Sequence, residues 1–273
     1  MPEFTKYRLT LSYDGTGYCG WQEQRDDPSV QEELRHAVRN LFQEEAAVHG
    51  ASRTDSGVHA LNQVAHFRVR NRRDPREVTS ALNHHLPDDV TVHSAAEADP
   101  DFQAHVDATG KTYLYLVLNR RDPPALFQRY LHWMAAPLAT EPMREVLERM
   151  EGTHPFTGFA TDADDVENPT CSLRNTGMVV RDDALYVEFT GDRFLYNMVR
   201  ALVGTMIDVG RGNRSPSVVN RVLESRDRSA AGPVAPAAGL YLADVYYRPL
   251  NEVTPRIEQR IRQLFPRGGP IER

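Results

Sequence analysis

Asp55 is the side chain best placed for chemistry. It lies in the run Ala51-Ser52-Arg53-Thr54-Asp55-Ser56-Gly57-Val58-His59-Ala60, two residues after an arginine and two before a glycine, in a segment too irregular for a helix or a strand. Loops held against a substrate by a rigid scaffold carry catalytic groups more often than regular elements do. A carboxylate there acts as nucleophile or base provided it stays ionised, and a neighbouring arginine favours the charged form. The same residues also spell an ordinary Asp-Ser-Gly turn, with the side chain bonded to its own backbone. Aspartic proteases share the triplet, but they need two carboxylates sharing a proton, and no second Asp-Ser-Gly or Asp-Thr-Gly occurs.

The elements around this segment follow from periodicity. Tyr7, Leu9, Leu11 and Tyr13 alternate with polar residues as in a half-buried strand, which Asp14-Gly15-Thr16-Gly17 ends. Ser29 and Glu32 form a capping-box pattern, and Val30, Leu34, Ala37, Val38 and Leu41 give a helical stripe leading toward Asp55. A strand is expected from Gln63 to Val69, a helix opened by Asp74-Pro75 and stopped at Leu86-Pro87, and a strand from Val90 to Ala95. The polar stretch from Asp99 to Gly110 marks the join between two halves. Beyond it come a strand from Thr112 to Leu118, a helix opened by Thr140 and closed by Gly152, and a strand from Leu185 to Thr190. The strongest helix is expected to start at Asp192, its stripe running Leu195, Met198, Val199, Leu202, Val203 and Met206 to a stop at Gly210. Ser215-Pro216 opens a short helix, then come a Pro/Ala/Gly loop from Ala230 to Ala238 and a strand from Gly239 to Tyr247. A terminal helix runs from Thr254-Pro255 to about Phe265. Hairpin-like strands mixed with capped helices indicate an α+β class with antiparallel sheet.

Composition narrows the function classes. At 273 residues the chain can bury a large core. Cys19 and Cys171 lie in no CxxC or Cys/His cluster, which speaks against a disulfide framework or a zinc site and for a reducing, cytoplasmic setting. No signal-peptide core or membrane-length apolar run is present, so a soluble protein is expected. There is no Walker loop and no GxGxxG after a strand. The formal net charge of -6 disfavours a nucleic-acid binder only globally. Positive charge comes almost wholly from arginine, with lysine only at Lys6 and Lys111, and acid gathers in stretches such as 162–167. Halophilic proteins and GC-rich genomes share that balance. In concentrated salt an RNA binder relies on stacking, shape and short arginine contacts more than on counterion release.

The run from Arg53 to Ala60 resembles the aspartate motif of tRNA pseudouridine synthases of the TruA family. It is joined in order by Tyr13-Asp14-Gly15, Gly20-Trp21-Gln22, Asp101-Phe102-Gln103-Ala104, Lys111-Thr112-Tyr113-Leu114-Tyr115 and His154-Pro155-Phe156-Thr157. Phe194 with Met198-Val199-Arg200, Val203-Gly204 and Gly239-Leu240-Tyr241-Leu242 complete the series, so the resemblance spans residues 7 to 247. It implies two ferredoxin-like halves forming one continuous antiparallel sheet flanked by helices, with a central active-site cleft. Residues 1–105 would carry the catalytic aspartate and 106–250 the tyrosine and arginine, with 251–273 as a C-terminal helix and tail.

The implied reaction isomerises uridine to pseudouridine in the tRNA anticodon stem-loop, at positions 38 to 40, by a cytoplasmic homodimer. Nothing is oxidised or added, so no cofactor and no metal is called for. By the same resemblance Asp55 is the catalytic aspartate and Arg200 its partner cation. Tyr113 stacks on the target base and is a candidate for removing the C5 proton, and Arg53 occupies the space the extruded base leaves. Val203 and Leu240 match apolar positions near the pocket. The chain departs from the family at Phe102-Gln103-Ala104-His105, where many relatives read Phe-His-Ala-Arg, leaving His105 to contact phosphate when protonated. The alternatives are a non-catalytic RNA-binding module of ferredoxin-like fold, which has no need of Asp55, and a synthase acting at another tRNA position.

Overall fold

A computed structural model describes residues 4–162, 167–254 and 256–264. Its first half runs β1 (Thr5–Tyr13), α1 (Val30–Phe42), β2 (His49–Gly50), β3 (His59–Val69), α2 (Pro75–His85) and β4 (Val90–Glu97). Then come β5 (Gly110–Asn119), β6 (His132–Met134), α3 (Thr140–Met150), β7 (Gly152–Pro155), β8 (Thr170–Arg181) and β9 (Ala184–Gly191). The chain continues through α4 (Met198–Gly210), α5 (Val218–Ser225), β10 (Leu240–Tyr246) and α6 (Ile257–Leu264). Strands mixed with helices and paired mostly antiparallel make this the expected α+β class.

The described residues form two compact units. One holds the chain up to Thr109 together with Tyr241–Tyr247; the other runs from Gly110 to Leu240 and resumes at Arg248. In the first, β1 lies between β3 and β4, antiparallel to both, with Tyr7 opposite Phe67 on one side and Glu97 on the other. The outer edge of β3 is shared: β2 pairs antiparallel at His66, and β10 pairs parallel at its start, Tyr241 opposite His59. A strand from late in the chain thus borders the strand that leaves the Asp55 loop. The alternating residues of β1, Tyr7, Leu9 and Leu11, are fully buried, as are Val30, Leu34, Ala37 and Val38 of the α1 stripe. Ser29 caps α1 by accepting from Glu32 N at 3.3 Å, and Asp74 caps α2, whose first residue is Pro75.

In the second unit β9 lies between β5 and β8, antiparallel to both, while β7 extends the sheet beyond β8 and β6 pairs parallel with the end of β5. The order β5, α3, β8, β9, α4, with β9 inserted beside β5, is that of a ferredoxin-like half through its second helix. Both faces of β5 are covered and nine of its ten residues are buried.

Several local expectations need correction. β3 starts at His59, four residues before Gln63, so the strand begins almost at the Asp55 turn. α4 starts at Met198, not Asp192. Asp192 accepts from Ser172 N at 2.8 Å and Arg193 N at 2.7 Å, and Asn197 is left-handed at φ 56°, which no continuing helix tolerates. α5 starts at Val218. α6 falls within the expected terminal helix, but Pro255 and Phe265 lie outside the described residues, as do 163–166 of the acidic stretch and 266–273 of the tail.

Candidate active site

The Asp55 loop occupies residues 51–58, between β2 and β3, and main-chain contact holds it. Trp21 N donates to Thr54 O at 3.0 Å, and Gly57 N and Ser56 Oγ both donate to Tyr18 O at 3.3 Å. Val58 N closes the turn on Asp55 O at 3.1 Å, with Gly57 at φ +75° supplying the left-handed step. The contacts depend on two glycines of the preceding segment. A Cβ on Gly20, itself at φ +106°, would stand 2.3 Å from Thr54 O, and one on Gly15 would stand 2.0 Å from Val58 O. Gly50 gives way to the Trp21 ring in the same manner. The motifs Tyr13-Asp14-Gly15 and Gly20-Trp21 therefore have a plain physical purpose, to let two backbone segments touch.

Side chains finish the frame. Gln63, fully buried on β3, accepts from Ser52 N at 3.2 Å and donates to Ser52 O at 2.7 Å, satisfying both main-chain groups at the start of the loop. Tyr13 and Thr54 share a hydroxyl hydrogen bond of 2.8 Å. His59 stacks on Tyr241 with ring centres 4.9 Å apart. Its Nδ1 is 3.1 Å from both Gly15 N and Asp14 Oδ1, so a neutral ring accepts from the amide and a protonated ring pairs with the carboxylate. Asp55 itself is half-buried and Arg53 is exposed. His105 is exposed too, yet its Nδ1 lies 2.9 Å from Ala51 O, where the loop begins.

In the second unit Tyr113 is buried on β5, its ring edge-on to Phe194 with centres 5.0 Å apart. Strand alternation puts Lys111, Tyr113 and Tyr115 on one face of β5. Tyr115 donates to Pro236 O at 2.8 Å, and burial pushes its phenol well above the ordinary range. Arg200, in the first turn of α4, donates from Nε to Ala235 O at 2.7 Å and from a terminal nitrogen to Asn197 Oδ1 at 2.8 Å. The left-handed turn at Asn197 thus fixes the guanidinium as well as starting the helix. Every other residue of α4 except Asp208 is buried. Gly204 permits the approach of the 231–236 segment, since a Cβ there would stand 1.7 Å from Pro233 O.

The sequence-derived residues fall into two groups. Asp55, Arg53 and His105 belong to the first unit, within or hydrogen-bonded to one loop. Tyr113, Arg200, Val203 and Leu240 belong to the second; Val203 is fully buried within α4 and Leu240 is buried at the start of β10. Gln63, Asn197 and Lys111 escaped the sequence reading as contributors. Gln63 had a usable signal, a polar residue at an inward position of a strand. Asn197 had none beyond its capacity for positive φ.

A family model described as tRNA pseudouridine synthase matches residues 10–107 and 146–248. Among curated relatives, "tRNA pseudouridine synthase A 2" of Clostridium perfringens is 37% identical over 240 residues, covering 88% of this chain and 98% of its own. "tRNA pseudouridine synthase A" of Acetivibrio thermocellus is 39% identical with the same coverage. Its namesake from Geobacillus sp. is 40% identical over 243 residues, covering 89% of this chain and 98% of its own.

Proposed function

The chain belongs to the tRNA pseudouridine synthase family, and we infer from this membership that it is an isomerase converting uridine to pseudouridine in tRNA. The carrying observation is identity of 37–40% sustained over nearly the whole length of each relative. The reaction breaks the N1–C1′ bond, turns the uracil in its pocket and joins C5 to the same sugar carbon. The C5 proton leaves, N1 gains one, and no oxidant or added group is consumed.

Asp55 is the proposed catalytic carboxylate, attacking C1′ or removing a proton at the 2′ position, as a retaining glycosidase sets a carboxylate against an oxocarbenium-like centre. The glycine-dependent backing of its loop supports this role, because a nucleophile must be held in one geometry. Arg200 keeps Asp55 charged; two hydrogen bonds to its guanidinium already fix that group. Tyr113 stacks on the target base, and Arg53, exposed beside Asp55, fills the space the base vacates. Val203 and Leu240 supply apolar walls, and His105 contacts backbone phosphate. Residues 1–105 thereby carry the carboxylate and 106–250 the tyrosine and its arginine. The enzyme acts in the cytoplasm as a homodimer, on positions 38 to 40 of the anticodon stem-loop.

The test is to incubate unmodified tRNA with the protein and map pseudouridine by carbodiimide-dependent primer extension, which reads reaction, substrate and position together. Asp55→Asn is expected to keep tRNA binding and lose product by on the order of 10³-fold or more. Tyr113→Phe is expected to lower kcat by roughly tenfold with little change in Kd. Binding by the wild type without any product would leave only an RNA-binding module, and normal turnover by Asp55→Asn would remove the mechanism.

A further inference from the structure

Lys111 has a setting that the proposed reaction does not account for. It is 9% exposed, on the same face of β5 as Tyr113 and two residues from it, and its ammonium makes no hydrogen bond or ion pair among the described residues. A lysine whose stem is buried and whose ammonium has no counter-charge beside it is placed to take an anionic ligand. Its charged neighbour is another cation. Burial, and then the proximity of Arg193, draw the Lys111 pKa down to about 8. Arg193 is exposed, and its guanidinium makes no hydrogen bond or ion pair among the described residues. The adjacent carboxylate, Asp192, forms no ion pair with either cation among the described residues; its Oδ1 accepts from the amides of Ser172 and Arg193. The chain then continues into Phe194, whose ring lies edge-on to Tyr113.

An aromatic pair and a cation pair therefore adjoin on one side of β5, where a flat base and an anion can bind together. We propose that Lys111 and Arg193 form a phosphate site that grips the RNA backbone at the nucleotide whose base stacks on Tyr113. The proposal rests on tRNA being the substrate. It gives Lys111 a role in seating the extruded nucleotide, at no point in bond-making. Arg193 serves as the outer half of the clamp.

Equilibrium binding of unmodified tRNA, measured in the Asp55→Asn background across a range of potassium chloride, tests the site. Lys111→Met and Arg193→Gln are each expected to weaken binding about 5- to 10-fold and to reduce the slope of log K against log salt by about one. Lys111→Arg is expected to restore both, and with Asp55 intact Lys111→Met should raise KM more than it lowers kcat. Arg193 is exposed, so Arg193→Gln reports on the site even if Lys111→Met perturbs folding. Unchanged affinity and slope in Arg193→Gln and Lys111→Met, alongside normal pseudouridine formation by the wild type, would overturn the phosphate site and leave the enzyme reading intact. Absence of pseudouridine with the wild type would remove that reading and this one with it.

Discussion

The loop that carries Asp55 and the helix that carries Arg200 are built on different terms. The loop has little apolar mass of its own; it is held by main-chain hydrogen bonds, by Gln63, and by glycines that let the 15–21 segment approach Thr54 and Val58. α4 is buried nearly all round, and its one cation, Arg200, is held by a left-handed residue at its start. Hydrogen bonds and close backbone contact fix direction sharply but contribute modest net stability, whereas apolar burial contributes stability with less control over direction. Damage to the first region should therefore appear mainly in turnover and damage to the second mainly in folding.

A single methyl group separates the two cases. Gly20→Ala puts a Cβ against Thr54 O at a φ few L-residues adopt, with backbone on both sides of the clash. We expect kcat for pseudouridine formation to fall by about 100-fold while the urea midpoint drops less than in Gly204→Ala. Gly204→Ala drives a methyl into Pro233 O and parts α4 from the 231–236 segment; it should cost about 3 kcal/mol of stability, read by urea unfolding. Gly177 has open space around its would-be Cβ, so Gly177→Ala should change both measures by less than about 0.5 kcal/mol. Equal loss of turnover and stability in the first two variants would dissolve the contrast between the regions.

Gln63 sharpens the same contrast from the side of hydrogen bonding. Gln63→Leu keeps the volume and removes both Gln63 bonds to the Ser52 main chain, so kcat is expected to fall about 10- to 100-fold while stability drops by only about 1–2 kcal/mol, less than in Gly204→Ala. Gln63→Glu, which keeps an acceptor for Ser52 N but offers nothing to Ser52 O, should not restore the wild type. A stability loss with unchanged kcat would show that Ser52 does not govern where Asp55 points.

The contrast also explains what could be read from sequence. The amphipathic elements, α1 with its Ser29 cap, α2 behind Asp74-Pro75 and the alternating β1, announce themselves because burial imposes period on them. β8 does not: Arg174, Asn175 and Gly177 break its alternation, and the register shift between Leu173 and Asn175 moves side chains from one face to the other. The 3.6-residue stripe around Leu195 placed a helix start six residues early, because hydrophobic period cannot reveal the backbone turn at Asn197. At the site, Asp55 was legible as a carboxylate between an arginine and a glycine in an irregular segment. That Gly15 and Gly20 are what let the loop be backed so closely is not legible in the sequence, since the clashes they avoid lie 34 to 43 residues away in the chain.

The smallest predicted effect concerns the far end of β3. His66 is 5% exposed, its Nδ1 accepts from Ala104 N at 3.1 Å, and it stacks on His49. Burial first, then His49 and Lys6, lower its pKa from 6.5 to about 4, with Asp107 opposing weakly. Between those values the unfolded chain binds a proton that the folded one refuses. Stability therefore falls as pH is lowered from about 6.5 toward 4 and is unaffected by this group above 6.5. Protonation would also turn Nδ1 into a donor facing the Ala104 amide and release the turn that holds His105 on Ala51 O. His66→Gln, whose side-chain carbonyl can accept from Ala104 N, removes the titration and keeps the bond. Between pH 7.5 and pH 5 the wild type should lose about 1–2 kcal/mol more than this variant by urea unfolding. An equal loss would place the acid sensitivity elsewhere, and the Asp55 loop would then be held independently of the strand end that His66 anchors.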